Sequence, residues 1–302
     1  MAMVSVQTAF HITTAVTPCV FILLTAISLC SPFIPLLNSL ASHGKTRKNN
    51  PALILNHDHQ RRLIRLLNHD RLLVSKRRFA DFYAFGLIWS VFVLNFRFDL
   101  TSIMLYCHLL RRYYECKCIH QWRDAKMHVM GYILGYIHYI LLPFIFYPDA
   151  PNNGTFLWDM IAVGLNVMAQ REQFFHHRIL ATCRAKNSSN KYKIPHGRLF
   201  TYVTCPHYTA EILIYFTLFV LVGYKNADQY GFSFEKLFEN IENITTRNVL
   251  RQCGFLIPYR HFILVMWVIS NLSVSAHANY KWYCTQFPLY PKSRAKLFPF
   301  IW

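Results

Sequence analysis

The sequence predicts an all-α integral membrane protein of about seven transmembrane helices, with a lumenal N-terminus and a cytosolic C-terminus. Three observations carry this expectation. Of 302 residues, 54% are apolar, 16% aromatic and only 15% charged, whereas a soluble chain usually carries about a quarter charged residues. The charges are also gathered: no Asp, Glu, Lys or Arg occurs over 1–44, 127–148, 160–170 or 261–280, and Glu211 is the only one over 199–224. Finally, 25 of the 32 Lys and Arg residues fall in 45–78, 111–126, 177–198 and 281–302, where Asp and Glu number four. Basic loops remain on the cytosolic side, so these four segments are expected to share it. The net charge of +18 thus sits between spans and not on one wetted face, which argues against a nucleic-acid partner.

The first span is expected near 9–38. Its uncharged run of 44 residues exceeds the about 7–15 of a signal-peptide core, so a retained anchor is expected. With the basic loop that follows, it makes an N-terminal unit, 1–78. Spans near 79–96, 100–118, 127–147, 156–180, 207–224 and 259–283 then build a catalytic membrane domain, 79–302. The connections near 97–99, 148–156 and 225–258 carry little basic excess and fall on the lumenal side, so every crossing alternates. Two glycosylation sequons, at Asn153 and Asn243, land on that side; a third, at Asn187, lands in the cytosol and should stay bare. Within 225–258, Phe232, Phe234, Leu237, Phe238 and Ile241 among charges suit either an amphipathic helix on the lumenal leaflet or an ordinary loop.

Nine cysteines, odd in number and mostly within spans or on the cytosolic side, do not suggest a disulfide framework. Cys116-Lys117-Cys118 lacks zinc-ligand spacing, so no metal is expected. No glycine pattern of a dinucleotide fold or a phosphate loop is present.

Ionisable side chains at membrane depth cost about 2.5–3.5 kcal/mol, so each invites a functional reading. His108, Arg112 and Glu115 fall at i, i+4 and i+7, one face of the third span, while Arg111 reads equally as basic flank. Gln173, His177 and Arg184 form a second face, an amide, an imidazole and a guanidinium suited to ribose hydroxyls and phosphate oxygens. His207 and Glu211 lie one turn apart in the sixth span and are either interhelical glue or part of a site. The basic, aromatic stretch 191–202, with Pro195 and Gly197, suits a loop over an anionic ligand or a membrane-surface anchor.

The run Tyr192-Lys193-Ile194-Pro195-His196-Gly197, then Leu199-Phe200-Thr201-Tyr202-Val203, Pro206-His207-Tyr208, Ala210-Glu211 and the tail 290–300 resemble the steroid 5α-reductase family. His108, Arg111, Arg112, Glu115 and Cys116, with Gln173, His177, Ile179 and Leu180, resemble its polyprenol reductase branch in spacing and order. The resemblance covers roughly 78–302. It implies a seven-helix reductase of the endoplasmic reticulum membrane that takes hydride from NADPH, here in dolichol synthesis supporting protein N-glycosylation. It also implies that Arg112, Gln173, His177, Arg184, Lys193, His207, Glu211 and Tyr283 line the cofactor pocket, with Arg112, Arg184 and Lys193 on phosphates. Steroid enzymes of the family hold the substrate carbonyl with a Glu on the second span and a Tyr on the third. Here the second span reads Asp81-Phe82-Tyr83 and the third has Leu109, so a steroid substrate is disfavoured. The branch's usual His is replaced by Tyr280, with His277 nearby.

Hydride attacks an electron-poor carbon, so the expected substrate is polyprenal, whose double bond is conjugated to an aldehyde, and not free polyprenol. An acid or donor is then needed at the carbonyl oxygen. Tyr83, oriented by Asp81 or His108, is the expected catalytic donor. A long polyprenoid chain needs only a lateral opening to the bilayer, and no obligate protein partner is evident. Three alternatives stay open: a steroid 3-oxo-5α reductase, a membrane-embedded S-adenosylmethionine-dependent methyltransferase of similar architecture, and a transporter or scaffold. The phosphate-suited Arg184 and Lys193 favour NADPH over S-adenosylmethionine. No internal repeat supports a transporter.

Overall fold

A computed structural model describes residues 2–34, 69–147, 156–185, 192–230 and 259–299. Seven helices of 15 or more residues lie within them: α1 (Ala2–Cys30), α2 (Phe79–Val93), α3 (Leu100–Tyr114), α4 (Val129–Phe146), α5 (Phe156–Ala185), α6 (Pro206–Tyr230) and α7 (Arg260–Gln286). Each coincides with one expected span. The clearest departure is at α1, which stops at Cys30 and gives way to a turn in which Ser31 and Ile34 amides bond back to the Ser28 and Cys30 carbonyls. Ile12–Cys30, Val129–Phe146 and Arg260–Gln286 are long and apolar enough to cross a membrane. At 15 residues each, α2 and α3 rise only about 22 Å, less than a hydrocarbon core of about 30 Å. The sequons at Asn153, Asn187 and Asn243, the segment from Phe232 to Ile241 and residues 35–68 lie outside the described residues.

α5 packs along α6, α1 along α7, and α2 against both α3 and α4. Phe21 and Leu24 of α1 join the same buried core as Leu109, Leu142, Ile214 and Leu264. Two glycines set the spacing of the parallel pair α2 and α4. A Cβ on Gly86 would stand 2.7 Å from the Tyr139 ring, and one on Gly135 would stand 2.8 Å from the Phe82 ring. Each helix thus offers a glycine to the other's aromatic residue one turn away, which brings Tyr83, next to Phe82, against Tyr139. Beyond α4, the fully buried Arg260 donates through Nε to the Ile145 carbonyl at 2.8 Å and through Nη2 to that of Tyr147 at 2.6 Å. A cation at the negative end of a helix is the favourable placement.

At the other end the described parts of the four basic segments meet. Leu73–Ser75 (β1) pairs antiparallel with Lys126–His128 (β2), Leu73 opposite His128. The Arg184 guanidinium donates to the Gln121 carbonyl at 3.1 Å, and Arg123 donates to the carbonyl of Arg184. The tail closes the set: Ala295 donates to Tyr202 and accepts from Thr204, and the buried Arg294 donates to the Pro195 carbonyl at 3.1 Å. Phe10, near the start of α1, packs on Phe144 and Tyr147 at the opposite end.

Candidate functional site

The polar stripes of α3, α5 and α6 converge, with Tyr83 of α2, into one buried network. Glu115 is its centre. The α-helical turn of α3 widens into a π-turn at Glu115–Ile119, and the Glu115 side chain is fully buried. Arg111 and Arg112 both donate to it, one to each carboxylate oxygen, and His177 Nδ1 lies 2.7 Å from Oε2. Arg112 also donates to the Tyr83 hydroxyl from Nη2 at 2.9 Å and Nε at 3.2 Å, its guanidinium lying over the Tyr83 ring. Arg111 reaches sideways to Gln173 and Gln170 of α5. Gln173 in turn donates to Glu211 of α6, whose other oxygen stands 3.4 Å from His108 Nε2.

The set is closely self-compensating: two carboxylates answer two guanidinium groups. Burying an ion pair is worthwhile only with such complete hydrogen bonding, and removing one partner leaves a charge stranded at a cost of about 3–5 kcal/mol. The arrangement also fixes the Tyr83 hydroxyl. Both its partners among the described residues are donors, so its own hydrogen is left to give. Glu115, His120 and His177 bring ligand atoms within 4.8 Å of one another, a spacing open to a metal ion. The Arg112 guanidinium, with Nη1 2.9 Å from His177 Nδ1, already brings positive charge there.

Tyr83, His108, Arg112, Gln173, His177, His207 and Glu211 are therefore neighbours. His207 closes the group by its carbonyl, which accepts from Gln173 at 3.2 Å, and by its ring, 5.5 Å from that of His177. Asp81 does not join them. It accepts from the Tyr132 hydroxyl at 3.3 Å and pairs with Arg78 at 3.9 Å, because two residue steps on α2 carry it about 200° around the helix from Tyr83, onto the opposite face. The partner that holds Tyr83 is Arg112, and His108 contacts Arg111 and Glu211.

Arg184, Lys193 and Tyr283 stand at the basic end. Arg184 is half-buried and Lys193 exposed, while Tyr283 is buried and stacked on Tyr290 at 5.1 Å. Lys76 is drawn into this end, where burial and then the Arg184 guanidinium lower its ammonium to about 7. Burial, and then His177, holds the His120 imidazole down to about 2, so it is neutral, and its Nε2 is buried without a partner among the described residues. Tyr280 is turned to the tail, donating to the Lys292 carbonyl at 3.2 Å.

Some members were not singled out by the sequence reading. Asn166 and Gln170 extend the Gln173–His177 stripe by two turns, and the i, i+4, i+7, i+11 spacing was available to find them. Tyr215 likewise extends His207–Glu211 by one turn. Tyr139 and Trp267 carried no such signal, being aromatic residues in apolar runs, whereas His138, an imidazole within an expected span, did carry one.

A family model described as 3-oxo-5-alpha-steroid 4-dehydrogenase matches residues 127–251 and 248–302. Polyprenal reductase 1 of Oryza sativa subsp. indica is 27% identical over 251 residues, covering 71% of this chain and 60% of its own length. The polyprenal reductases of Mus musculus and Homo sapiens are each 25% identical, covering 67% of this chain and 57% and 59% of their own lengths. The chain thus spans less than two thirds of these relatives.

Proposed function

From the premise that the chain belongs to the 3-oxo-5-alpha-steroid 4-dehydrogenase, or steroid 5α-reductase, family, on its polyprenol reductase branch, we propose that it reduces the α-isoprene double bond of polyprenal with NADPH. The setting is dolichol synthesis in the endoplasmic reticulum membrane, supporting protein N-glycosylation. The chain would cross seven times, N-terminus lumenal, its basic end in the cytosol. The relatives are named as polyprenal reductases, which supports an aldehyde and not an alcohol as substrate. The observation that carries the chemistry is the Tyr83 hydroxyl, held by two Arg112 donors with its own hydrogen free to meet a carbonyl oxygen.

The donor set suits a dinucleotide phosphate. Lys76 and Arg184 share the basic end, and neither pairs with a carboxylate among the described residues. Basic groups left without a carboxylate partner at this end attract an anion. Arg184 and Lys193 would hold phosphates, Gln173, His177 and His207 the amide or ribose groups, and Tyr283 the aromatic wall of the cofactor site. Glu211 would accept from the carboxamide. Arg112, engaged with Glu115 and Tyr83, serves the proton donor and not a phosphate. NADPH when bound supplies hydride to the carbon β to the aldehyde. Tyr83 meets the negative charge that develops on the aldehyde oxygen, and Arg112 stabilises the hydroxyl as it gives up its hydrogen.

The test incubates membranes containing the protein with NADPH and, separately, polyprenal, polyprenol or a steroid 4-en-3-one, following the saturated product by mass. Saturation of polyprenal alone is expected. Direct saturation of polyprenol would defeat the conjugation argument, and activity on the steroid alone would replace the lipid substrate.

A further inference from the structure

A second polar chain runs through the middle of the bundle, apart from the ion network. The Trp267 indole Nε1 of α7 donates to His138 Nδ1 of α4 at 3.2 Å, and His138 Nε2 lies 3.1 Å from the Tyr215 hydroxyl of α6. The direction of this chain follows from elementary chemistry. An indole nitrogen only donates, so Nδ1 must offer its lone pair. A protonated imidazole would set one N–H against another and is ruled out, leaving the neutral ring with its hydrogen on Nε2. That hydrogen points into the Tyr215 oxygen. His138 is the only hydrogen-bond partner of this hydroxyl among the described residues, so the Tyr215 hydrogen is directed away from it.

Tyr215 borders the site already described. It lies one turn beyond Glu211, and its ring meets His108 edge-on at 5.9 Å. Tyr139 packs on Tyr83 at 5.4 Å and on His138 at 4.9 Å, so one aromatic ring bridges Tyr83 and the histidine that holds Tyr215. Phe21 of α1, fully buried, covers His138 at 5.7 Å and shields the chain. A tyrosine whose oxygen is occupied by a donor of fixed direction is pre-set as a donor itself, and the low dielectric of the interior strengthens that donation.

We infer that Tyr215 is a second hydrogen-bond donor to the oxygen-bearing head of the substrate, and that Trp267 and His138 are positioning residues that hold its hydroxyl in the donating sense. The inference rests on the reductase reading and deepens it. Tyr83 and Tyr215 would receive the aldehyde from two helices, which suits a compact polar head on a long apolar chain.

The experiment uses the full chain in detergent or nanodiscs, with wild type, Tyr215→Phe, Trp267→Phe, His138→Gln and His138→Leu. It measures NADPH affinity by fluorescence titration, then kcat and KM for polyprenal, and the isotope effect with NADPH deuterated at the transferred position. Tyr215→Phe should lower kcat about 100-fold with NADPH affinity unchanged and the isotope effect raised, the size seen when one such donor is lost. His138→Gln, which still accepts from the indole and donates to Tyr215, should retain at least several-fold more activity than His138→Leu. Trp267→Phe should fall between them. Wild-type kcat in Tyr215→Phe, or equal loss in the Gln and Leu variants that bind NADPH normally, would overturn the inference while leaving the reductase reading intact. Failure of the wild type to reduce polyprenal would sink the reductase reading itself.

Discussion

Where α3 ends, Arg111 and Arg112 both reach a buried carboxylate that a histidine also approaches. At the basic end, Arg184 lies close enough to Lys76 to depress it, and neither pairs with a carboxylate among the described residues. The same side-chain chemistry therefore has two uses. Cations whose charge is answered internally orient a neighbour, here Tyr83. Basic groups left unanswered at the basic end recruit an anion from outside. The partner, and not the arginine, decides the role.

The comparison breaks most visibly at Glu115. Glu115→Ala strands two guanidinium groups in the core and should cost about 3–5 kcal/mol, read as loss of folded protein in detergent thermal denaturation. A well-folded Glu115→Ala protein would mean that the network is not self-compensating. Tyr83→Phe should lower kcat by about 10²-fold with no change in NADPH affinity, since it removes a donor and leaves the apolar ring. Arg184→Ala should act on the other arm, raising the NADPH KM by about 10-fold or more at unchanged protein level, the size of a charge-assisted hydrogen bond. An unchanged KM would remove Arg184 from the cofactor site.

Smaller effects sharpen the same contrast through pH. Lys76, lowered to about 7, is charged below that pH and increasingly neutral above it, so NADPH KM should rise between about pH 6 and 8. Lys76→Arg, charged throughout, should flatten that rise. The fold disfavours the lysine cation relative to the unfolded chain, which holds its proton up to 10.5, so Lys76 should make stability increase from about pH 7 towards 10. Arg198→Ala, which breaks a partly exposed pair with Glu172, should cost no more than about 1 kcal/mol.

The helix bundle was largely legible in the sequence because charge-free windows and basic loops are long-range, redundant signals. α2, α3, α5 and α7 begin within about one residue of the expected positions. Helical spacing also gathered His108, Arg112, Gln173, His177 and Glu211 correctly onto facing stripes. Spacing says which face a residue occupies, but not which partner its side chain finds. Arg111, one step off the stripe, still reaches Glu115 because its side chain is long. Asp81, two steps from Tyr83 and on the opposite face of α2, stays with Tyr132. Trp267, His138 and Tyr215 could not be paired at all, since three residues on three helices meet only once the glycine contacts between α2 and α4 and the packing of α6 on α7 are known.

The most direct test of this division of labour measures NADPH affinity and the single-turnover rate of polyprenal reduction in parallel for Arg184→Ala and Tyr83→Phe. A crossed result is predicted: Arg184→Ala loses affinity yet reduces polyprenal at near the wild-type rate once saturated, while Tyr83→Phe binds normally and reduces slowly. Weakened NADPH binding in Tyr83→Phe together with normal binding in Arg184→Ala would contradict it.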